Sequence, residues 1–190
     1  MSAPRPFSKL PELNTANVLL VENEMSLQKK LAEAILQENR DCTVNVRLAR
    51  CLPLPVENEE SRPRIDLLVF IVNLRSEQSL SAAESSVRHM EPGYCLGKAC
   101  FLATEARCDL VPPERLSSLM RLAASCHCPL LFAEAQTAEG VKVAAQRLLR
   151  VLKVSAGLIP GTTGLYMSTL TRSIVPADRL ADTPADWLSS

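Results

Sequence analysis

The stretch from Ile65 to Leu74, IDLLVFIVNL, is the most hydrophobic in the chain, and its β-branched and aromatic content at strand length makes it the central strand of a sheet. A strand apolar on both faces needs a helical layer above and below, and the flanking sequence supplies both. Asn17 to Val21 is a short apolar run that fits a buried parallel strand, followed by Leu27, Leu31, Ala34 and Ile35, the stripe of an amphipathic helix running from about Ser26 to Asn39. Val44, Val46 and Leu48 alternate with Asn45 and Arg47, which predicts a half-buried or edge strand. Pro53, Pro55 and Pro63, with Glu57, Glu59 and Glu60, then make an open, solvated loop.

Beyond the central run the alternation continues. Leu80, Ala83, Val87 and Met90 form a helical stripe stopped by Pro92-Gly93, and Ala99 to Ala103 supplies another buried strand. Pro113 opens a helix carrying Leu116, Leu119, Leu122 and Ala123. Pro129 to Ala133 reads as a core strand, and Val141, Ala144, Ala145, Leu148, Val151 and Leu152 line a long helix capped by Gly157. Strand alternating with helix predicts an α/β sandwich, a mostly parallel sheet with helices on both faces.

A chain of 190 residues accommodates one such domain, assigned to residues 1–157, with an additional apolar helical segment over 158–175 and an acidic tail over 176–190 that holds the single tryptophan, Trp187, and is expected to stay disordered until it meets a partner. Lysine plus arginine balances aspartate plus glutamate at 21 each, which argues against a chain that lives by gripping nucleic-acid phosphates or an anionic membrane. Lys142, Arg147, Arg150 and Lys153 on the long helix accordingly read as a solvated face, although a minor DNA contact inside a larger assembly stays open. No run of eighteen apolar residues and no apolar leader occur, so the expectation is a soluble chain made in the cytosol. The seven cysteines include Cys126-His127-Cys128, Cys95, Cys100 and Cys108, but there is no CxxC pair; they read as small buried hydrophobes, with no metal expected. His89 reads as helix surface and His127 as loop, and neither belongs to an HExxH or GxSxG arrangement, so no catalytic residue is assigned.

In a sheet of this kind, ligands bind first at the turn after strand one, here Glu22-Asn23-Glu24-Met25-Ser26-Leu27-Gln28-Lys29. A phosphate-cradling loop of the form GxxxxGK followed by Ser or Thr would place glycines at 22 and 27, lysine at 28 and a hydroxyl at 29. The chain has Glu22, Leu27, Gln28 and Lys29 there, and all six of its glycines lie at Gly93 or later. Glu22 and Glu24 put carboxylates where phosphate charge would sit, and each like-charge contact near 4 Å costs roughly 4 kcal/mol at an effective dielectric of about 20. A helix dipole, at about 0.3–1 kcal/mol, cannot offset this. Lys29 is displaced by one position, about 100° around a helix, and is expected to point away.

The order of elements, with IDLLVFIVNL followed by RSEQSL and ACFLATEA followed by CPLLFAEA, resembles the core of Ras-like small GTPases. Within that group the segments KLPELNTANVLLVE, RLARCLPLP, RPRIDLLVFIVNL, LGKACFLAT, AQRLLRVL and AGLIPG, spread in order over roughly residues 9 to 161, are similar to the centromere protein M family, pseudo-GTPase subunits of the inner kinetochore. The guanine-reading NKxD motif of the GTPases maps onto Thr104, Glu105, Ala106 and Arg107, where Arg107 offers donors to a guanine edge that itself presents donors. The DxxG motif has no counterpart between Leu48 and Ile65.

The resemblance implies a non-enzymatic structural subunit of the constitutive centromere-associated complex in the nucleus, binding no nucleotide or other cofactor. It implies centromere protein I, a helical-repeat protein, as direct partner, centromere proteins H and K in the same assembly, and centromeric chromatin as an indirect one. A nucleotide switch with an atypical site, or a trafficking adaptor on the same fold, are the alternatives. For the partner surface, Pro92-Gly93 puts Tyr94-Cys95-Leu96 in a loop, where exposure is easier than burial, and Leu165-Tyr166 lies in the extra apolar segment. Leu96 and Leu165 are therefore expected to anchor a protein partner, with Tyr94 and Tyr166 beside them.

Overall fold

The computed structural model describes residues 3–6, 9–55 and 62–164. Glu57, Glu59, Glu60, Leu165, Tyr166, Trp187 and most of the two C-terminal segments lie outside the described residues.

Five strands, β1 (Thr15–Val21), β2 (Thr43–Ala49), β3 (Leu67–Asn73), β4 (Ala99–Thr104) and β5 (Leu130–Ala133), alternate with four helices, α1 (Gln28–Glu38), α2 (Glu77–Val87), α3 (Pro113–Ser125) and α4 (Ala138–Ser155). The sheet order is β2-β1-β3-β4-β5, and every ladder is parallel. β3 is the central strand, buried along its length apart from the half-buried Asn73. Its side chains divide by parity between two cores. Leu68, Phe70 and Val72 pack with Leu80, Leu116 and Leu119 under α2 and α3. Leu67, Val69 and Ile71 pack with Leu31, Ile35, Ala145 and Leu148 under α1 and α4. Phe70 stacks on Phe101 of β4 with ring centroids 5.3 Å apart, fixing the register across the first core.

Helix ends follow local chemistry. Ser76 accepts from the Ser79 amide at the start of α2, and Thr137 accepts from the Gly140 amide at the start of α4. α4 ends in a Schellman arrangement: Leu158 N–H bonds Lys153 O at 2.8 Å and Gly157 N–H bonds Val154 O at 3.0 Å, with Gly157 at φ +76°. The polar face of α4 ties back to its own fold, Lys142 and Lys153 reaching Glu38 and Asp41 and Arg147 the Phe132 carbonyl.

All the strands run the same way, so the chain enters the sheet at one end and leaves it at the other. The carboxyl end carries the turn after β1 and the loops after β3, β4 and β5. The amino end carries the Leu96 loop and the close of α4.

Candidate functional site

The strand order reverses direction between β1 and β3, and the crevice outside their carboxyl ends is where an open α/β sheet binds its ligands. The chain has filled that place with its own side chain. Glu22 leaves β1 only 2% exposed, and its carboxylate turns back onto the first amides of α1. Leu27 N–H donates to Oε1 and Oε2 at 3.1 and 3.0 Å, Gln28 N–H to Oε2 at 2.8 Å, and Ser26 Oγ–H to Oε1 at 2.9 Å. Helix N-terminal amides are a ready anion site, and here the anion is built in. The Met25 backbone makes the reversal possible by adopting φ 55°. Gln28 is fully buried and donates from Nε2 to the Glu22 carbonyl, locking the turn from the other side.

This refines the electrostatic expectation. Glu22 excludes an external anion by occupying its donors, and its own charge is satisfied by the two amides and the hydroxyl. Glu24 is exposed and acts differently, since Asn73 Nδ2 donates to its Oε2 at 3.3 Å, joining the ends of β1 and β3 across the crevice. Leu27 is buried, and Lys29 points to solvent. Neither the Ser26 hydroxyl nor Asn73 belongs to a spaced motif, so residue patterns hold no signal for either.

A cavity of about 540 Å³ persists at the carboxyl ends of β4 and β5, where the base-reading residues of a GTPase would sit. Thr104 is buried in β4 and only 4% exposed, while Arg107 is exposed on the cavity rim. Glu105 has φ 62° and accepts from Gln136 Nε2 at 2.7 Å, so its carboxylate is engaged with the loop after β5.

At the amino end, Leu96 is 54% exposed, as expected, but Tyr94 is 0% exposed and belongs to the core beneath α2 and α3. The expected exposure of the whole triplet is thus corrected. Pro92 to Cys95 forms a 3-10 turn, Tyr94 N–H bonding Glu91 O at 3.0 Å, and this winds the tyrosine inward while Leu96 is left outside. Tyr94 therefore supports the loop from beneath and offers no ring to a partner. Its hydroxyl has no hydrogen-bond partner among the described residues. Burial, then Glu91 and Asp66, push the phenol well above its ordinary pKa of 10.0. A neutral phenol held by the fold contributes stability that is complete below pH of about 10 and is lost as pH rises above it. Tyr94→Phe is expected to raise stability at neutral pH by about 1 kcal/mol, because an unpaired buried hydroxyl disappears, and to flatten the alkaline limb. Urea melts at neutral pH and above the tyrosine pKa measure both effects.

The same loop is fastened to the end of α4. Lys98 Nζ donates to the Ser155 carbonyl at 2.6 Å, and Ser155 Oγ–H donates to the Gly97 carbonyl at 2.8 Å. A cation at a helix C-terminus is favourable, and here it comes from another element. Burial, then Arg64, lowers the Lys98 pKa. A Cβ added at Gly164 would lie 2.4 Å from the Gly97 carbonyl, so the backbone of residue 164 runs directly against this loop. No residue pattern signals the Lys98–Ser155 pair, which spans 57 positions.

Cys100, Cys126 and Cys128 are buried, and burial pushes the Cys100 thiol up to about 12, which keeps it protonated and unreactive. Among the described residues no three His, Cys, Asp or Glu side chains converge as a metal site. His89 and His127 are both exposed.

An all-parallel five-stranded sheet with helices on both faces is consistent with a Ras-like α/β protein. The family model for centromere protein M (CENP-M) matches residues 1–174. Proteins named centromere protein M from Danio rerio, Homo sapiens and Xenopus laevis are 61%, 44% and 39% identical over 178, 174 and 179 residues, covering 93%, 91% and 94% of this chain and 96%, 95% and 99% of those proteins. The chain belongs to the centromere protein M family.

Proposed function

We propose that this chain is a non-catalytic structural subunit of the centromere-associated inner kinetochore complex, a pseudo-GTPase that works by holding neighbours in place. The observation that supports the reading best is the Glu22 carboxylate, which occupies the α1 amides that a nucleotide phosphate would need. A chain that stops its own anion site with a buried charge has left the rest of its surface to act. Membership of a family named for the centromere supports a role in the nucleus, at centromeric chromatin. The direct partner in this reading is the helical-repeat centromere protein I, with centromere proteins H and K in the same assembly, and the contact is made through Leu96 and Leu165, with Tyr166 beside them.

Titration calorimetry of the full chain with GTP, GDP and ATP in magnesium tests the inert site. No binding heat is expected through the micromolar range, and micromolar binding of any of the three would restore the switch. Imaging of a tagged chain through mitosis separates centromeric foci, which are expected, from membrane puncta, which would indicate a trafficking adaptor.

A further inference from the structure

Three of the seven cysteines meet at the amino end of the sheet, brought there by two turns. α3 closes in a Schellman arrangement: Cys128 N–H bonds Ala123 O at 3.0 Å and His127 N–H bonds Ala124 O at 3.1 Å, with His127 at φ 53°, where glycine is usual. The residue after the left-handed position packs back on the helix, so Cys128 turns into the core and its Sγ–H donates to the Cys126 carbonyl at 3.3 Å. The 3-10 turn that buries Tyr94 leaves the next side chain, Cys95, half-buried against the same core. The Cys95 and Cys128 thiols lie within hydrogen-bond reach of each other, although β4 and α3 separate them in the chain.

The remaining thiols nearby are placed differently. Cys126 is the nearest competitor for either partner, but its Sγ meets Ser125 Oγ at 3.8 Å. Cys100 is 0% exposed inside β4, out of reach of any reagent in solution. Burial raises Cys95 and Cys128 above the ordinary thiol pKa of 9.0, so thiolate is scarce at neutral pH and attack on an oxidant is slow. A thiolate of high pKa is nevertheless the stronger nucleophile once formed, and a second sulfur already in place favours a link over further oxidation.

We propose that Cys95 and Cys128 are a redox pair, joined by hydrogen peroxide into a disulfide that staples the Leu96 loop to the end of α3. Cys95, the half-buried member, reacts first. Its thiolate attacks one peroxide oxygen, the O–O bond breaks, and the products are a sulfenic acid and hydroxide, which takes up the proton the thiol released. The Cys128 sulfur then attacks the Cys95 sulfur, and the sulfenic oxygen leaves as water with the second thiol proton. Two thiols and one peroxide thus give one disulfide and two waters, the two electrons passing from sulfur to oxygen. A thiol reductant reverses the link by exchange. The pair stands whether or not Leu96 carries a partner.

The test treats the full, reduced chain with hydrogen peroxide, blocks the remaining thiols with iodoacetamide in denaturant, and locates any link by peptide mapping without reductant. The Cys95–Cys128 peptide is expected at least about tenfold above any other linked pair, because the fold holds these two sulfurs together. The same treatment in urea should scatter the links among the seven cysteines. Cys95→Ser should lose the native link, whereas Cys51→Ser, at the exposed thiol beyond β2, should keep it. The map of the parent decides the matter even if Cys95→Ser is less stable. A native map dominated by Cys126–Cys128 or by links to Cys51, sulfinic acid at Cys95 in place of a link, or a native map as scattered as that in urea would overturn the proposal.

Discussion

Glu22→Ala is expected to cost about 3 kcal/mol of stability. The side chain is buried and accepts from two backbone amides and one hydroxyl, bonds strengthened by its charge. Removing it leaves the Leu27 and Gln28 amides without an acceptor at the positive end of α1, and buried orphan donors cost about 1–3 kcal/mol each. For a chain of this size, that corresponds to a fall of about 6–12 °C in melting temperature. The distinguishing measurement is rescue by a small carboxylate. If the α1 amides form an anion site closed by Glu22, formate should restore about 1 kcal/mol to Glu22→Ala once it exceeds its dissociation constant about five-fold. Formate at equal ionic strength should leave the parent unmoved. A variant as stable as the parent, or a formate effect equal in both proteins, would remove Glu22 from that role.

The closed anion site shows where residue patterns carry information and where they do not. The strands and helices follow from periodicity: IDLLVFIVNL does become the central strand, Val44-Asn45-Val46 does form an edge, and Gly157 does end α4. Composition also marks Glu22 as incompatible with a phosphate. It cannot reveal that the carboxylate replaces the phosphate, because this depends on a backbone reversal at Met25 that no side-chain pattern encodes. Tyr94 departs from expectation for a related reason. Proline and glycine announce a turn at 92 and 93, but the winding of a 3-10 turn decides which of the following residues faces the core. Lys98 bonds a carbonyl 57 residues away, and a lysine ahead of a strand reads as surface until the end of α4 is placed against it. In each case the missing information is a local backbone angle or a long-range pairing, neither of which a one-dimensional pattern contains.

The proposed contact with the helical-repeat centromere protein I predicts that Leu96→Asp abolishes co-purification while leaving the isolated chain folded. The loop that carries it is rigid before any partner arrives. Tyr94 anchors it in the core, Lys98 N–H bonds the Tyr94 carbonyl at 3.0 Å, and Lys98 and Ser155 pin Gly97 and its neighbour to the end of α4. Leu96 itself takes no part in those side-chain contacts and remains 54% exposed, so a carboxylate there should change folding stability by no more than about 0.5 kcal/mol. Against an apolar partner the same carboxylate would be buried without a counter-charge, and a hot-spot loss of about 2–4 kcal/mol weakens binding roughly 30- to 1,000-fold. Leu110→Asp supplies the control. It is 74% exposed but lies in the loop after β4, at the opposite end of the sheet, and should leave co-purification intact. Co-expression of each variant with centromere protein I, scored by recovery of the complex and by the melting temperature of the free chain, separates lost contact from lost fold. Leu165→Glu belongs to the same experiment, because the backbone at Gly164 rests against Gly97. If Leu96→Asp still co-purifies, or if Leu110→Asp fails equally, the amino end of the sheet is not the docking face.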